Sequence, residues 1–172
     1  MTVDALDDAL VRASRNGDRS AFGRLYERYS RMVHAIVLAR VPPGEADDLV
    51  QDVFVSAMRQ LHALRDEHAF GGWLATIARN RANGWYRGSV EMTELPEIVS
   101  RSTQDEEEDA RRALAAVRSL PEAYRETLMM RLVEGMSGPE IAARSGLTPD
   151  SVRVNLHRGM KLLREALKGG AA

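Results

Sequence analysis

Apolar residues recur every three to four positions through two long stretches of this chain, and an acidic segment without that period separates the stretches. Leu25 and Tyr29 share one helical face in the first stretch, and Leu128 and Leu132 share one in the second. This spacing is typical of amphipathic α-helices and differs from the alternation of a half-buried strand. The sequence therefore predicts an all-α fold made of two small helical domains.

The domain boundaries are predicted from where the helical period stops. Residues 1–88 form the N-terminal domain, residues 89–109 form a flexible acidic linker, and residues 110–172 form the C-terminal domain. Pro96 and the acidic run 105–109 favour an exposed segment between the domains, because such a composition cannot bury a core.

Charge is distributed unevenly along the chain. Residues 89–109 contain 8 acidic residues and 1 basic residue, whereas residues 110–172 contain 6 acidic and 11 basic residues. A basic C-terminal domain is typical of nucleic-acid binding, and the overall net charge of −1 conceals it. The sequence thus indicates that the second domain contacts nucleic acid.

Other classes of protein fit the composition poorly. No apolar stretch approaches the roughly 20 residues that a membrane-spanning helix needs. The chain has no cysteine, so it has neither a disulfide framework nor a thiolate metal site. We expect a cytoplasmic protein without membrane insertion, cofactor or metal site.

Helix boundaries are predicted mainly from proline and glycine. Pro42 and Pro43 should end the second helix, a third helix should run over residues 45–64, and a fourth over about 70–87. Residues 65–68 form a polar break between the third and the fourth helix.

The clearest local motif lies near the C-terminus. Ser137 and Glu140 have capping-box spacing, Gly146 should end the short helix that follows, and Thr148 with Pro149 should begin another. A short helix, a tight turn and a basic second helix in this order indicate a helix-turn-helix, whose second helix enters the major groove of DNA. The candidate DNA contacts on that second helix are Asp150, Ser151, Arg153, Val154, Asn155, His157 and Arg158. The alternative is a solvated helical hairpin whose arginines keep it soluble.

Acidic and amide side chains cluster on one face of the third helix. Asp48, Gln51 and Asp52 lie at positions that share a mostly polar face. A metal or acid/base site would need partner groups that the sequence does not show nearby. We therefore interpret this face as solvated or as a binding surface for a partner, and a helical enzyme using Asp48 and Asp52 is the less favoured alternative.

Four stretches together resemble the extracytoplasmic-function sigma factors of bacterial RNA polymerase. They are GDRSAF at residues 17–22, ADDLVQDVF at residues 46–54, WLATIARN at residues 73–80, and the segment from Leu120 and Pro121 to the final helix. The resemblance covers nearly the whole chain. It implies that the first domain is sigma region 2 and the last is sigma region 4, and that the chain is no enzyme itself.

Partners and site residues of the N-terminal domain follow from this resemblance. It implies that Asp48, Gln51 and Asp52 bind core RNA polymerase. It also implies that the segment from Asp66 through the fourth helix recognises and opens the promoter −10 element, with Asn80 capturing an extruded base. The implied −10 residues are Asp66, Arg79, Asn80 and Arg81.

For the C-terminal domain, the resemblance implies recognition of the promoter −35 element by Arg131, Ser151, Arg153, Asn155, His157 and Arg158. An anti-sigma factor is a further implied partner. The sequence departs from the usual family pattern at Asn155, Gly159 and Met160, and at Gly84 in the first domain. A helix-turn-helix regulator that binds an operator without acting as a sigma subunit is the alternative function.

Overall fold

The computed structural model describes residues 3–89 and 104–170, and this part of the chain is helical without any strand. The helices are α1 (Val3–Arg15), α2 (Arg19–Leu38), α3 (Pro43–Gln60), α4 (Phe70–Ser89), α5 (Gln104–Arg118), α6 (Glu122–Leu132), α7 (Gly138–Ser145) and α8 (Pro149–Gly169). The predicted all-α fold is confirmed. Most of the predicted linker, including Pro96, lies outside the described residues.

The N-terminal half is built around α2, which packs against α1, α3 and α4. Asp18 caps α2, because its carboxylate accepts a hydrogen bond of 3.1 Å from the backbone N–H of Ala21. The apolar stripe of α2 is buried, with Leu25 and Val33 fully inaccessible to solvent. Burial of this stripe supplies the main stabilisation of the half, since the hydrophobic effect scales with the apolar area removed from water.

Two helix ends in this half differ from the predicted positions. Helix α2 already ends at Leu38, and Pro43 occupies the first turn of α3, where its missing N–H costs no hydrogen bond. Helix α3 ends at Gln60, and a single 3-10 turn at Leu61–Ala63 covers the residues up to the predicted end at Leu64. The period of apolar residues continues through that turn, which explains the longer prediction.

In the C-terminal half, α6 and α8 pack closely against each other. Gly159 permits this approach, because a Cβ atom there would lie 3.1 Å from Cδ1 of Leu128 and 3.2 Å from Cβ of Tyr124. Leu128 is completely buried at this crossing. Gly159, which departs from the usual family pattern, therefore allows α8 to pack closely against α6.

Helix α5 begins earlier than the predicted linker allows. The aperiodic acidic segment is predicted to end at Asp109, whereas α5 starts at Gln104 and includes the acidic run 105–109 in its first turns. Carboxylates are favourable there, because the N-terminal end of a helix carries a partial positive charge. Two weak ion pairs at i,i+3 spacing, Glu108 with Arg111 and Asp109 with Arg112, follow in the next turn.

The two halves contact each other directly in this structure. Helices α6 and α7 of the C-terminal half lie on α2 and α4 of the N-terminal half, and we call this the docked arrangement. Arg118 contributes at one edge by donating a hydrogen bond of 2.9 Å to the carbonyl oxygen of Leu38. Met129 and Met130 on α6 are buried within the continuous apolar core.

His34 lies at a contact between the two halves. Its imidazole on α2 bonds to the carboxylate of Glu134, which follows α6, and lies 4.0 Å from the carboxylate of Asp47 on α3. The hydrogen bond to Glu134 is the largest cause that raises the pKa of His34 above its ordinary value, and burial opposes it. Arg31 also faces this site, donating to the backbone carbonyl of Glu134 at 3.3 Å.

We expect the docked arrangement to weaken as the pH rises. A group whose pKa is raised on docking contributes its full stabilisation below its ordinary pKa and loses it as the pH rises through the raised value. Thermal unfolding at pH 6 and pH 8 should show a larger loss of stability in the wild type than in His34→Gln. An identical pH dependence of the two proteins would contradict the assignment to His34.

Candidate nucleic-acid interface

Local capping fixes the geometry of the helix-turn-helix formed by α7 and α8. The Ser137 backbone N–H donates to Oε2 of Glu140 at 2.7 Å, and Oγ of Ser137 accepts from the backbone N–H of Glu140 at 3.3 Å. Gly146 ends α7 with φ of +75°, a left-handed conformation that glycine adopts without strain. Thr148 then caps α8 by accepting from the backbone N–H of Ser151 at 3.1 Å. The predicted motif is confirmed in each of these elements.

Basic side chains form an exposed stripe along α8. Arg153, His157 and Arg158 are exposed, as the sequence analysis expects of DNA-contacting residues. Lys161 and Arg164 continue the stripe toward the C-terminus, at helical spacing from Arg153 and His157. Lys161 and Arg164 are not among the DNA contacts predicted from the sequence. The spacing of basic residues every three to four positions is the signal that could have identified them.

Three other predicted −35 residues make contacts within the C-terminal half. Ser151 is exposed, but its hydroxyl bonds to that of Thr148 at 2.9 Å as part of the helix cap. Arg131 is exposed and donates to the carbonyl of Met136 at 3.1 Å. Asn155 is half-buried, and its amide faces α6. Asn155 therefore lies beside the exposed basic stripe, on the side of α8 that packs against α6.

The predicted −10 residues lie on and before α4. Asp66 is exposed and caps a short turn by accepting from the backbone N–H of His68 at 3.0 Å. Asn80 is exposed near the middle of α4. Arg81 donates to the Ser56 hydroxyl on α3 at 3.2 Å, which directs its guanidinium along the N-terminal half.

Arg79 differs from these residues because it contacts the other half of the chain. Its Nε and Nη2 atoms donate to the two carboxylate oxygens of Glu126 on α6, each at 2.8 Å. This bidentate hydrogen bond is the largest cause that raises the pKa of Arg79, so the guanidinium is charged throughout the accessible pH range. The fork of Arg79 is thus occupied in the docked arrangement.

The predicted polymerase-binding residues share the outward face of α3. Asp48, Gln51 and Asp52 are all exposed. Val55 and Met58 continue the same face, and 43% and 52% of their surfaces remain accessible. This face combines carboxylates with apolar side chains, and it lies apart from the basic stripe on α8.

No three His, Asp or Glu side chains within the described residues are arranged to hold a metal ion. The surfaces described above are a basic helical stripe on α8, an exposed amide on α4, and an acidic and apolar face on α3. None of the described helices is both long and apolar enough to span a bilayer.

Comparison with known proteins identifies the family. The family described as Sigma-70 region 2 matches residues 25–89, and the family described as Sigma-70, region 4 matches residues 110–163. The ECF RNA polymerase sigma-E factor of Escherichia coli strain K12 is 30% identical over 181 aligned positions, which cover 95% of both chains. The chain is an extracytoplasmic-function sigma factor.

A second relative supports the same membership. The RNA polymerase sigma factor CarQ of Myxococcus xanthus is 34% identical over 163 positions, covering 89% of this sigma factor and 92% of CarQ. The predicted family and function are confirmed: the protein is a transcription initiation factor that acts with RNA polymerase at promoters. An operator-binding regulator is not favoured.

Solved structures agree with the fold of this sigma factor. CnrH, solved in complex with the cytosolic domain of CnrY, superposes with a TM-score of 0.64 and 28% identity, covering 95% of this chain and 98% of CnrH. The sigma factor RpoE of Bartonella quintana, solved with the anti-sigma factor NepR, gives a TM-score of 0.53 at 21% identity, covering 86% and 96% of the two chains. The second likeness concerns the fold alone.

Proposed function

We propose that this sigma factor docks on core RNA polymerase through the outward face of α3. The observation that carries the proposal is the exposure of Asp48, Gln51 and Asp52 beside Val55 and Met58. Exposed apolar groups rimmed by charges mark protein-binding surfaces, because the apolar area drives association and the charges select the partner. The partner surface should accordingly be basic with an apolar centre.

Recognition and opening of the −10 element are assigned to α4 and the turn before it. Asn80 is exposed and able to hydrogen-bond the edge of an extruded base, while Arg79 and Arg81, its neighbours on α4, carry the positive charge to hold adjacent phosphates. Asp66 belongs to the same segment through its cap of the preceding turn. Capture of the extruded base offsets an unstacking cost of a few kcal/mol.

Recognition of the −35 element is assigned to α8. Arg153, His157 and Arg158 provide donors to base edges and phosphates, and Lys161 and Arg164 add phosphate contacts. Ser151 and Arg131 flank this surface, whereas Asn155 supports it from the α6 side through its contact with Thr127. Base specificity therefore rests mainly on the first two turns of α8.

The division into residues 1–88, 89–109 and 110–172 is proposed on the same grounds. The family matches over residues 25–89 and 110–163 support it, since the unmatched segment falls between them. Under this proposal the protein catalyses no reaction itself and acts in the cytoplasm beside the polymerase.

An anti-sigma factor is the further partner that we propose. RpoE of Bartonella quintana was solved with the anti-sigma factor NepR, and this sigma factor shares its fold. An inhibitor that covers the α3 face or the α8 stripe would prevent the two interactions proposed above.

We expect reversal of the α3 charges to abolish tight polymerase binding without unfolding the protein. The variant Asp48→Lys with Asp52→Lys places repulsive charges on an exposed face, and each lost charged contact should cost about 1–2 kcal/mol, hence roughly 30- to 1,000-fold in affinity for the pair. Titration of labelled variant with core polymerase measures the affinity, and circular dichroism measures the fold.

A matched control reverses two exposed carboxylates elsewhere. Glu27→Lys with Glu165→Lys makes the same change in net charge on α2 and α8, away from the α3 face. This control should bind core polymerase as the wild type does. A folded α3 variant with wild-type affinity would refute the docking assignment, and failure of the wild type to bind core polymerase at all would favour the operator-binding regulator.

A further inference from the structure

Four arginines line an open pocket of about 840 Å³ between the two halves of the sigma factor. Arg40 and Arg87 belong to the N-terminal half, and Arg118 and Arg125 belong to α5 and α6. No carboxylate is among the described residues that line the pocket. A pocket of this volume is in the range that holds small molecules. It shares no residue with the polymerase and promoter contacts proposed above, so those contacts do not account for its charge.

Three of these arginines have no acidic partner in the part of the chain that the structure describes. Arg87 donates to the backbone carbonyl oxygen of Asn83 at 3.4 Å, and Arg125 donates to that of Leu120 at 3.2 Å. Arg118 donates to two backbone carbonyl oxygens at the end of α2 and just after it. A backbone carbonyl orients a guanidinium but carries no charge that would balance it.

Two of the unbalanced charges are also partly shielded from water. Arg118 and Arg125 are half-buried. Burial lowers the pKa of the Arg118 guanidinium, and the positive charge of Arg125 lowers it further. The fourth arginine, Arg40, adds no net charge, because it donates to the carboxylates of Glu122 and Glu126. Since like charges in a shielded site repel each other, this arrangement favours a bound anion with several charges.

The pocket also offers a surface for a planar ring. Trp85 of α4 lines it and is half-buried, so its large indole is partly available to a ligand. The face of an indole stacks on any nucleobase. Asn83, which lines the same pocket, has an exposed amide that can both donate and accept hydrogen bonds. Guanidinium forks match the oxygens of phosphate groups. Phosphate groups and an aromatic ring occur together in a nucleotide.

We propose that this pocket binds a nucleoside polyphosphate. The phosphates lie against Arg118 and Arg125, Arg87 contacts them from α4, and the base stacks on Trp85. A free nucleotide is favoured over a nucleic-acid strand, because the arginines converge on one pocket from three helices. A strand needs a row of positive charges that follows its backbone along one surface.

Isothermal titration of the full-length chain tests the class of ligand, with ATP, AMP and inorganic triphosphate as the probes. ATP should bind with one-to-one stoichiometry. AMP should bind roughly tenfold more weakly or worse, because it lacks two of the three phosphates that the arginines hold. Inorganic triphosphate should bind more weakly than ATP, because it has no base to stack on Trp85.

Substitutions assign the two parts of the ligand to their residues. Arg87→Gln and Arg125→Gln should each weaken ATP binding roughly tenfold, because a charged hydrogen bond to phosphate is lost. Trp85→Leu should weaken ATP binding several-fold and leave the affinity for inorganic triphosphate unchanged. The matched control, Arg111→Gln with Arg112→Gln, removes two exposed arginines of α5 that lie outside the pocket and should bind ATP as the wild type does. Circular dichroism checks the fold of each variant, and Arg87 is exposed, so its substitution removes no buried contact.

Several outcomes would overturn the proposal. One is the absence of ATP binding by the wild type, and another is wild-type affinity in folded Arg87→Gln and Arg125→Gln. If the control loses as much affinity as the pocket variants, the binding is a general attraction between charges. Equal losses of ATP and triphosphate affinity in Trp85→Leu would remove the base from the site. A short oligothymidylate that binds more tightly than ATP, and loses this binding in Arg125→Gln, would assign the pocket to a nucleic-acid strand instead.

Discussion

The variant Arg153→Ala with Arg158→Ala is expected to lose roughly 30-fold or more in affinity for a −35 element, because each good base contact contributes roughly 1–3 kcal/mol. Both arginines are exposed on α8, so truncating them removes no buried contact. The measurement is the affinity of the reconstituted holoenzyme for promoter DNA with an intact −35 element and with a scrambled one. Discrimination between these two DNAs should largely disappear.

A control with the same loss of charge separates specific contacts from general electrostatics. Arg111→Ala with Arg112→Ala removes two exposed arginines from α5, where they pair weakly with carboxylates of the same helix. This control should retain −35 discrimination and show at most a modest, salt-dependent loss of affinity. Equal discrimination in the α8 variant and the wild type would show that α8 does not read the −35 element.

The helix-turn-helix could be predicted because its signals are local. The capping box of Ser137 with Glu140, the left-handed Gly146 and the cap at Thr148 each involve residues within a few positions of one another. Such contacts depend on the chemistry of a short segment and not on the rest of the fold. For the same reason the order of helices along the chain was predicted correctly.

Helical phase explains why Asn155 is half-buried, although a polar side chain on this helix is expected at the surface. Asn155 follows the buried Val152 by three positions and precedes the buried Gly159 by four, so it belongs to the face that packs on α6. Its role at the −35 element stays a prediction. Burial of Gly159 could not be anticipated, since glycine carries no apolar signal.

The contacts between the two halves could not be predicted from the sequence. Glu126 meets Arg79 and Arg40 from positions 47 and 86 residues away. A pattern of charges along the chain indicates which faces are polar, yet it does not indicate which charges pair across a tertiary contact. Likewise, nothing in the sequence indicates that the backbone of α7 approaches Gly71. Long-range contacts of this kind depend on the whole fold and not on the spacing of residues along the chain.

The docked arrangement affects the two proposed −10 contacts on α4 differently. Asn80 and Arg79 are neighbours in sequence, but only Arg79 is engaged by the C-terminal half, while Asn80 remains exposed. The docked arrangement therefore occupies the side chain proposed as a phosphate contact and leaves the one proposed as a base contact open to solvent. Binding and opening of the promoter should respond differently to substitutions at these two positions.

Replacing Asn80 by Ala is expected to reduce promoter opening by roughly 10- to 100-fold, because unstacking and extruding a base costs a few kcal/mol that its capture must offset. Closed-complex formation should remain nearly intact, since the recognition helix α8 is untouched. Permanganate reactivity of promoter thymines measures opening, and a mobility shift on duplex DNA measures binding.

Asn83→Ala is the matched control. It changes the same residue type, also exposed and one turn further along α4, and should open promoters normally. Wild-type opening by Asn80→Ala would remove Asn80 from the base-capture step, and equal defects in both variants would indicate a general weakening of α4.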